Sequence, residues 1–137
     1  MREAELLLVE DSAEDTALAL RALSRHDLAR RVHVARDGAD ALAYLREAPR
    51  PRVALLDLKL PKVSGLKVLA IIRNTPELRT LPVIVLTSSR ESPDVEMAYA
   101  LGANSYIVKP VDFDEFSRVM SQVGLYWLGL NQPPPPA

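Results

Sequence analysis

Four short apolar runs in this chain end in groups that can do chemistry. L-L-L-V runs into Glu10-Asp11, V-A-L-L into Asp57, V-I-V-L into Thr87-Ser88, and Y-I-V into Lys109-Pro110. If these runs are parallel strands of one sheet, their tips meet at its carboxyl edge, where open α/β sheets place their sites. Three carboxylates brought together repel, and one is driven toward protonation unless a cation intervenes. Carboxylate oxygens and water suit Mg²⁺, which takes few protein ligands. Lys109 and Thr87 add a positive charge and a hydroxyl donor, the groups that hold a phosphoryl group against a metal. An Asp carboxylate such as Asp57 can act as nucleophile and form an acyl phosphate. Singly, each group has a plainer meaning: the acidic first turn of a helix, a loop cap, a strand-end hydroxyl, a solvated amine. Their conjunction in this order points to phosphoryl chemistry.

The elements that must position these groups follow from periodicity. Continuous Val- and Leu-rich runs at Glu5 to Glu10 and Val53 to Asp57 read as strands buried on both faces. Arg31 to Ala35, Pro82 to Leu86 and Ser105 to Val108 complete five strands. Between them lie helix signals. Ser12 with Asp15 and Asp112 with Glu115 have near capping-box spacing, and Ser64-Gly65 opens a third helix. Ala39 to Glu47 is amphipathic and follows an Asp37-Gly38 turn. Ser92-Pro93-Asp94 supplies an N-cap, a first-turn proline and an acid at the positive end of a helix that stops at Gly102. Strict alternation predicts an α/β fold with right-handed crossovers and a parallel sheet covered on both sides.

The chain has 137 residues, which suggests one domain, and no Cys, which excludes disulfides and thiolate metal sites. Its net charge of −1, from 17 basic and 18 acidic residues, gives no general drive toward nucleic acid or an acidic membrane. The apolar runs are far shorter than the ~20 residues of a membrane span. A cytoplasmic protein is expected.

Over essentially its full length the chain resembles the response regulator receiver domains of two-component signalling. The residues that carry the resemblance are Glu10-Asp11, Asp57 with Pro61 after it, Gly65, Thr87 with Ser88, and Y-I-V-K-P at Tyr106 to Pro110. The resemblance implies a doubly wound (βα)5, flavodoxin-like domain over residues 1–130 with strand order 2-1-3-4-5 and an extended C-terminal helix. Residues 131–137 would form a Pro-rich tail, with no output domain. Asp57 would take a phosphoryl group from a kinase phosphohistidine. Asp11, Asp57 and the main-chain carbonyl of Lys59 would bind Mg²⁺, with Glu10 acting through water. Thr87, Ser88 and Lys109 would surround the phosphoryl oxygens, and Lys109–Pro110 would be a cis peptide. Thr87 and Tyr106 would act as the switch, altering the surface of the fourth helix, fifth strand and fifth helix. Beyond self-phosphorylation and self-dephosphorylation, no enzyme activity is implied. Two departures stand out: Glu10 where Asp is common, and Lys59, a flexible cation two residues past Asp57.

The ending S-Y-I-V-K-P-V-D-F and the later G-L-Y-W-L-G-L-N-Q-P resemble the small regulators paired with phytochrome-type histidine kinases in bacteria. In the last helix, Phe113, Phe116, Met120, Val123, Trp127 and Leu130 form a core stripe, with Val119 and Tyr126 in a second row and Leu125 and Leu128 in a third. This surplus predicts a homodimer through Val119, Val123, Tyr126, Trp127 and Leu128. The alternative is that this segment folds back on its own domain.

Three rivals share parts of this pattern. A flavin-binding module would need a loop that welcomes phosphate, whereas E-D-S-A-E-D is acidic. A haloacid-dehalogenase-type phosphohydrolase wants D-x-D, and Asp57-Leu58-Lys59 lacks the second acid. A docking module that has lost phosphorylation would not need the complete acidic, Thr and Lys set.

Overall fold

Side chains that point alternately to the two faces of the sheet fix the layers. The computed structural model describes residues 4–135. Its strands are β1 (Leu6–Val9), β2 (Val32–Ala35), β3 (Val53–Leu56), β4 (Val83–Thr87) and β5 (Ser105–Val108), all parallel in the order β2-β1-β3-β4-β5. The helices are α1 (Ala13–Ser24), α2 (Gly38–Glu47), α3 (Gly65–Asn74), α4 (Ser92–Ala100) and α5 (Phe113–Leu125). Leu6, Leu8, Val53, Leu55, Ile84 and Leu86 pack on one face against Ala22 and Leu23 of α1 and Phe116, Met120 and Val123 of α5. Leu7, Val9, Ala54, Leu56 and Val83 pack on the other against α2 and α3. Successive strand residues point to opposite faces, so the central strands are apolar throughout.

The caps explain where most helices start. The Ser12, Ser64 and Asp112 side chains accept the main-chain N–H three residues on, at 3.1, 3.3 and 2.9 Å. Asp37, expected as part of a turn, does the same for Asp40 at 2.7 Å. Ser92 is not a cap: it is the first residue of α4, preceded by Glu91, which makes no side-chain capping bond. Gly102 ends that region at φ 103°, a conformation Gly adopts without steric cost. A single 3₁₀ turn, Ala29–Arg31, precedes β2 and was not signalled by the sequence.

The end of the chain departs most from expectation. After Leu125 the backbone enters a wider turn, Tyr126–Leu130, in which the Asn131 N–H donates to the Tyr126 carbonyl at 2.7 Å, five residues back. Widening the repeat rotates the apolar stripe. Val123 is therefore followed into the core by Leu128, five residues on, while Leu130 is 80% exposed. Two residues of the expected dimer interface, Val123 and Leu128, thus belong to the domain's own core. Val119 and Trp127 are partly buried against the same core, and only Tyr126 of that set is exposed. Arg31 and Arg52 hold the segment by donating to the carbonyls of Leu128 and Asn131, at 3.5 and 3.1 Å. Pro133 to Pro135 follow without regular hydrogen bonding, whereas Pro136 and Ala137 lie outside the described residues.

Candidate functional site

Parallel register brings the polar strand tips together. Val9 pairs with Leu56, Leu56 with Val85, and Thr87 with Val108. Glu10, Asp57 and Lys109 each follow directly at the same edge. Backbone bonds lock these tips: Asp57 N–H donates to Val9 O at 3.1 Å, and Lys109 N–H to Thr87 O at 2.8 Å. Gly65 brings the start of α3 against this edge. A Cβ there would sit 2.1 Å from the Asp57 carbonyl oxygen, so no larger residue fits without moving Asp57.

Carboxylate oxygens of Glu10, Asp11 and Asp57 lie within 4.8 Å of one another. Glu10 and Asp57 are buried, while Asp11 faces solvent. Burial, with the neighbouring Asp57 charge, pushes the Glu10 carboxyl above its ordinary pKa despite the Lys109 ammonium beside it. The Ser12 N–H donates to Glu10 Oε2 at 3.1 Å, and the Lys59 N–H to Asp57 Oδ1 at 3.3 Å. The Lys59 side chain is exposed at the rim.

Lys109 Nζ reaches three carboxylates: Glu10 at 2.7 Å, Asp15 at 2.9 Å and Asp57 at 3.1 Å. Burial opposes the ammonium, but the bonds to Asp15 and Glu10 and the Asp57 charge outweigh it and hold Lys109 protonated well above the usual lysine range. Asp15 is the partner the sequence did not disclose. Its visible signal was the spacing to Ser12, and that spacing is fully used by a helix cap.

The Thr87 hydroxyl oxygen is buried with no hydrogen-bond partner. A buried hydroxyl left unpaired costs roughly 1–3 kcal/mol, so it marks a group held ready for something else. Ser88 is exposed and lines a cleft of about 220 Å³ with Asp15, Lys109 and Phe113. Farther along the β4–α4 loop, Ser89 donates from its hydroxyl to Asp94, and the Tyr106 hydroxyl donates to the Ser89 carbonyl at 2.8 Å. The expected switch residues are thus on neighbouring strands, with Tyr106 already tied to the loop that follows Thr87. One expectation is corrected: among the described residues no peptide bond is cis, so Lys109–Pro110 is trans. Trans is the lower form of an X–Pro bond by about 0.5–1 kcal/mol, and it is compatible here with all the Lys109 contacts.

Three convergent carboxylates, one of them open to water, make an oxygen-rich site suited to a hard divalent cation. The Lys109 amine contacts two of them, and the unpaired Thr87 hydroxyl lies at the end of the adjacent strand. Residues 6–121 match the response regulator receiver domain. The chain belongs to that family. This receiver domain is 42% identical to the probable methanogenesis regulatory protein FilR2 of Methanothrix harundinacea, covering 96% of this chain and 88% of that one. It superposes with a TM-score of 0.91 on the phosphorylated cyanobacterial phytochrome response regulator RcpA, at 35% identity over 98% of this chain and all of that one. It also resembles the bacteriophytochrome response regulator RtBRR, with a TM-score of 0.73 and 48% identity over 98% of this chain and 86% of that one. The match sets the chain in the receiver family rather than among flavin modules or haloacid-dehalogenase-type proteins.

Proposed function

We propose that this receiver domain accepts a phosphoryl group on Asp57 from the phosphohistidine of a sensor histidine kinase. The observation that carries the reading is the Asp57 carboxylate set among an acidic pair and the Lys109 ammonium, with the unpaired Thr87 hydroxyl at the end of the adjacent strand. An Asp57 carboxylate oxygen attacks phosphorus as the phosphorus–nitrogen bond of the phosphohistidine breaks, and the departing imidazole keeps the bonding pair and takes up a proton. Asp11, Asp57 and the Lys59 carbonyl would hold Mg²⁺, with Glu10 acting through water; when bound, the ion neutralises charge on the transferring group. Lys109 donates to one phosphoryl oxygen and Thr87 turns its hydroxyl to another, with Ser88 at the rim. Satisfying Thr87 favours the arrangement in which it has moved toward the phosphoryl group. The change passes through the loop to Tyr106 and the α4–β5–α5 surface, a population shift rather than a new fold. Hydrolysis of the acyl phosphate returns the resting state, and no other turnover is assigned.

The likeness to RcpA and RtBRR supports a phytochrome-type kinase as the donor, in the cytoplasm. Residues 1–130 would be the receiver unit and 131–137 its tail. Exposed Leu125, Tyr126 and Leu130 are left by the wide turn as the apolar surface for a homodimer. The test of the phosphoacceptor reading is incubation with Mg²⁺ and acetyl phosphate, followed by intact-mass measurement. One added phosphoryl group that depends on Mg²⁺ and is absent in Asp57→Asn is expected. Equal labelling of Asp57→Asn would refute it.

A further inference from the structure

We propose that Asp15 is a positioning residue for Lys109, the acceptor onto which the ammonium withdraws when Glu10 and Asp57 turn their oxygens to a divalent cation. The inference rests on the function proposed above and concerns a residue that function does not use. In the structure Lys109 Nζ holds one oxygen of each of two carboxylates a cation would draw on, 2.7 Å from Glu10 Oε1 and 3.1 Å from Asp57 Oδ2. A cation and an ammonium cannot both sit against the same two carboxylates without strong like-charge repulsion. Lys109 therefore has to give up part of its hold, and a buried ammonium without an acceptor is costly. Asp15 meets that need from the first turn of α1, 2.9 Å away on the side facing the cleft. It is fixed there because its own main-chain N–H is bound by the Ser12 hydroxyl. Held on Asp15, the ammonium keeps its remaining N–H groups for phosphoryl oxygens.

The test is a double-mutant cycle read by calorimetric titration with Mg²⁺, without any phosphodonor. Asp15→Asn should bind Mg²⁺ about fivefold more weakly, toward the low end of coupling for groups in one ion-pair network. In a Lys109→Met background the same substitution should change affinity by less than about twofold. Asp15→Glu, which keeps the charge, should restore most of the affinity. Thermal unfolding of each variant without the ion checks that the fold is intact. An equal loss in both backgrounds would show that Asp15 acts on the cation alone, and no loss in the native background would show that it positions nothing; either result overturns the proposal. Native protein that binds no Mg²⁺ at all would instead overturn the function on which it rests.

Discussion

Two residues carry unusual electrostatic or hydrogen-bonding states whose consequences can be measured. Thr87 is fully buried with its hydroxyl unpaired. Val has nearly the same shape without the polar group, so Thr87→Val should raise stability of the unphosphorylated protein by about 1 kcal/mol. Urea unfolding checks the gain, and a loss of more than 1 kcal/mol would mean that the hydroxyl has a partner. Glu5 makes a two-pronged ion pair with Arg31, both contacts at 2.5 Å. The hydrogen bond from Arg31, ahead of the charges of Arg31 and Arg52, holds its carboxyl below the ordinary value. The folded pKa is thus the lower one, so the stabilisation is present above the unfolded value and lost as pH falls through the folded one. Glu5→Gln should be less stable at neutral pH, by at most about 1 kcal/mol because the pair is partly exposed, and the gap should narrow as pH falls below the ordinary glutamate range and close once it passes the lowered folded value. Urea melts at neutral and acid pH decide it; a gap that persists in acid contradicts it.

At the scale of elements, the last helix holds the main lesson about what the sequence could disclose. Strand runs and the helix starts at Ser12, Ser64 and Asp112 were legible because each rests on local signals: a continuous apolar run, or Ser and Asp three residues before the N–H they bind. The turn at Tyr126–Leu130 was not, because an apolar stripe at ordinary helical spacing and one at a five-residue step draw on the same residues, Trp127, Leu128 and Leu130. Burial of Leu128 in the core cluster that holds Leu23 and Leu28, with the Arg31 and Arg52 bonds to the segment, selects between them. The observed register makes a sharp contrast. Leu128→Ala should cost about 2–4 kcal/mol, as for a buried leucine, and Leu130→Ala close to nothing. Thermal melts in which Leu130→Ala is the more damaging change would mean the helix continues without the wide turn.

For the whole molecule, the carboxyl edge of the sheet was readable because parallel strand order converts four distant sequence positions into neighbours. The Asp15 contact and the trans Lys109–Pro110 bond were not, since both depend on side-chain and loop conformations that no periodicity encodes. The surface left by the wide turn bears on assembly. Tyr126→Ser with Leu130→Ser should convert a homodimer to monomer in sedimentation while leaving phosphorylation intact; a native chain that sediments as monomer at all concentrations ends the dimer reading. The central claim is that Asp57 receives the phosphoryl group. Its most direct test is to phosphorylate the native protein, reduce the acyl phosphate with borohydride, and locate the resulting homoserine by peptide mass mapping. Homoserine at position 57 alone is the predicted result; homoserine at position 11 or at no position would contradict it.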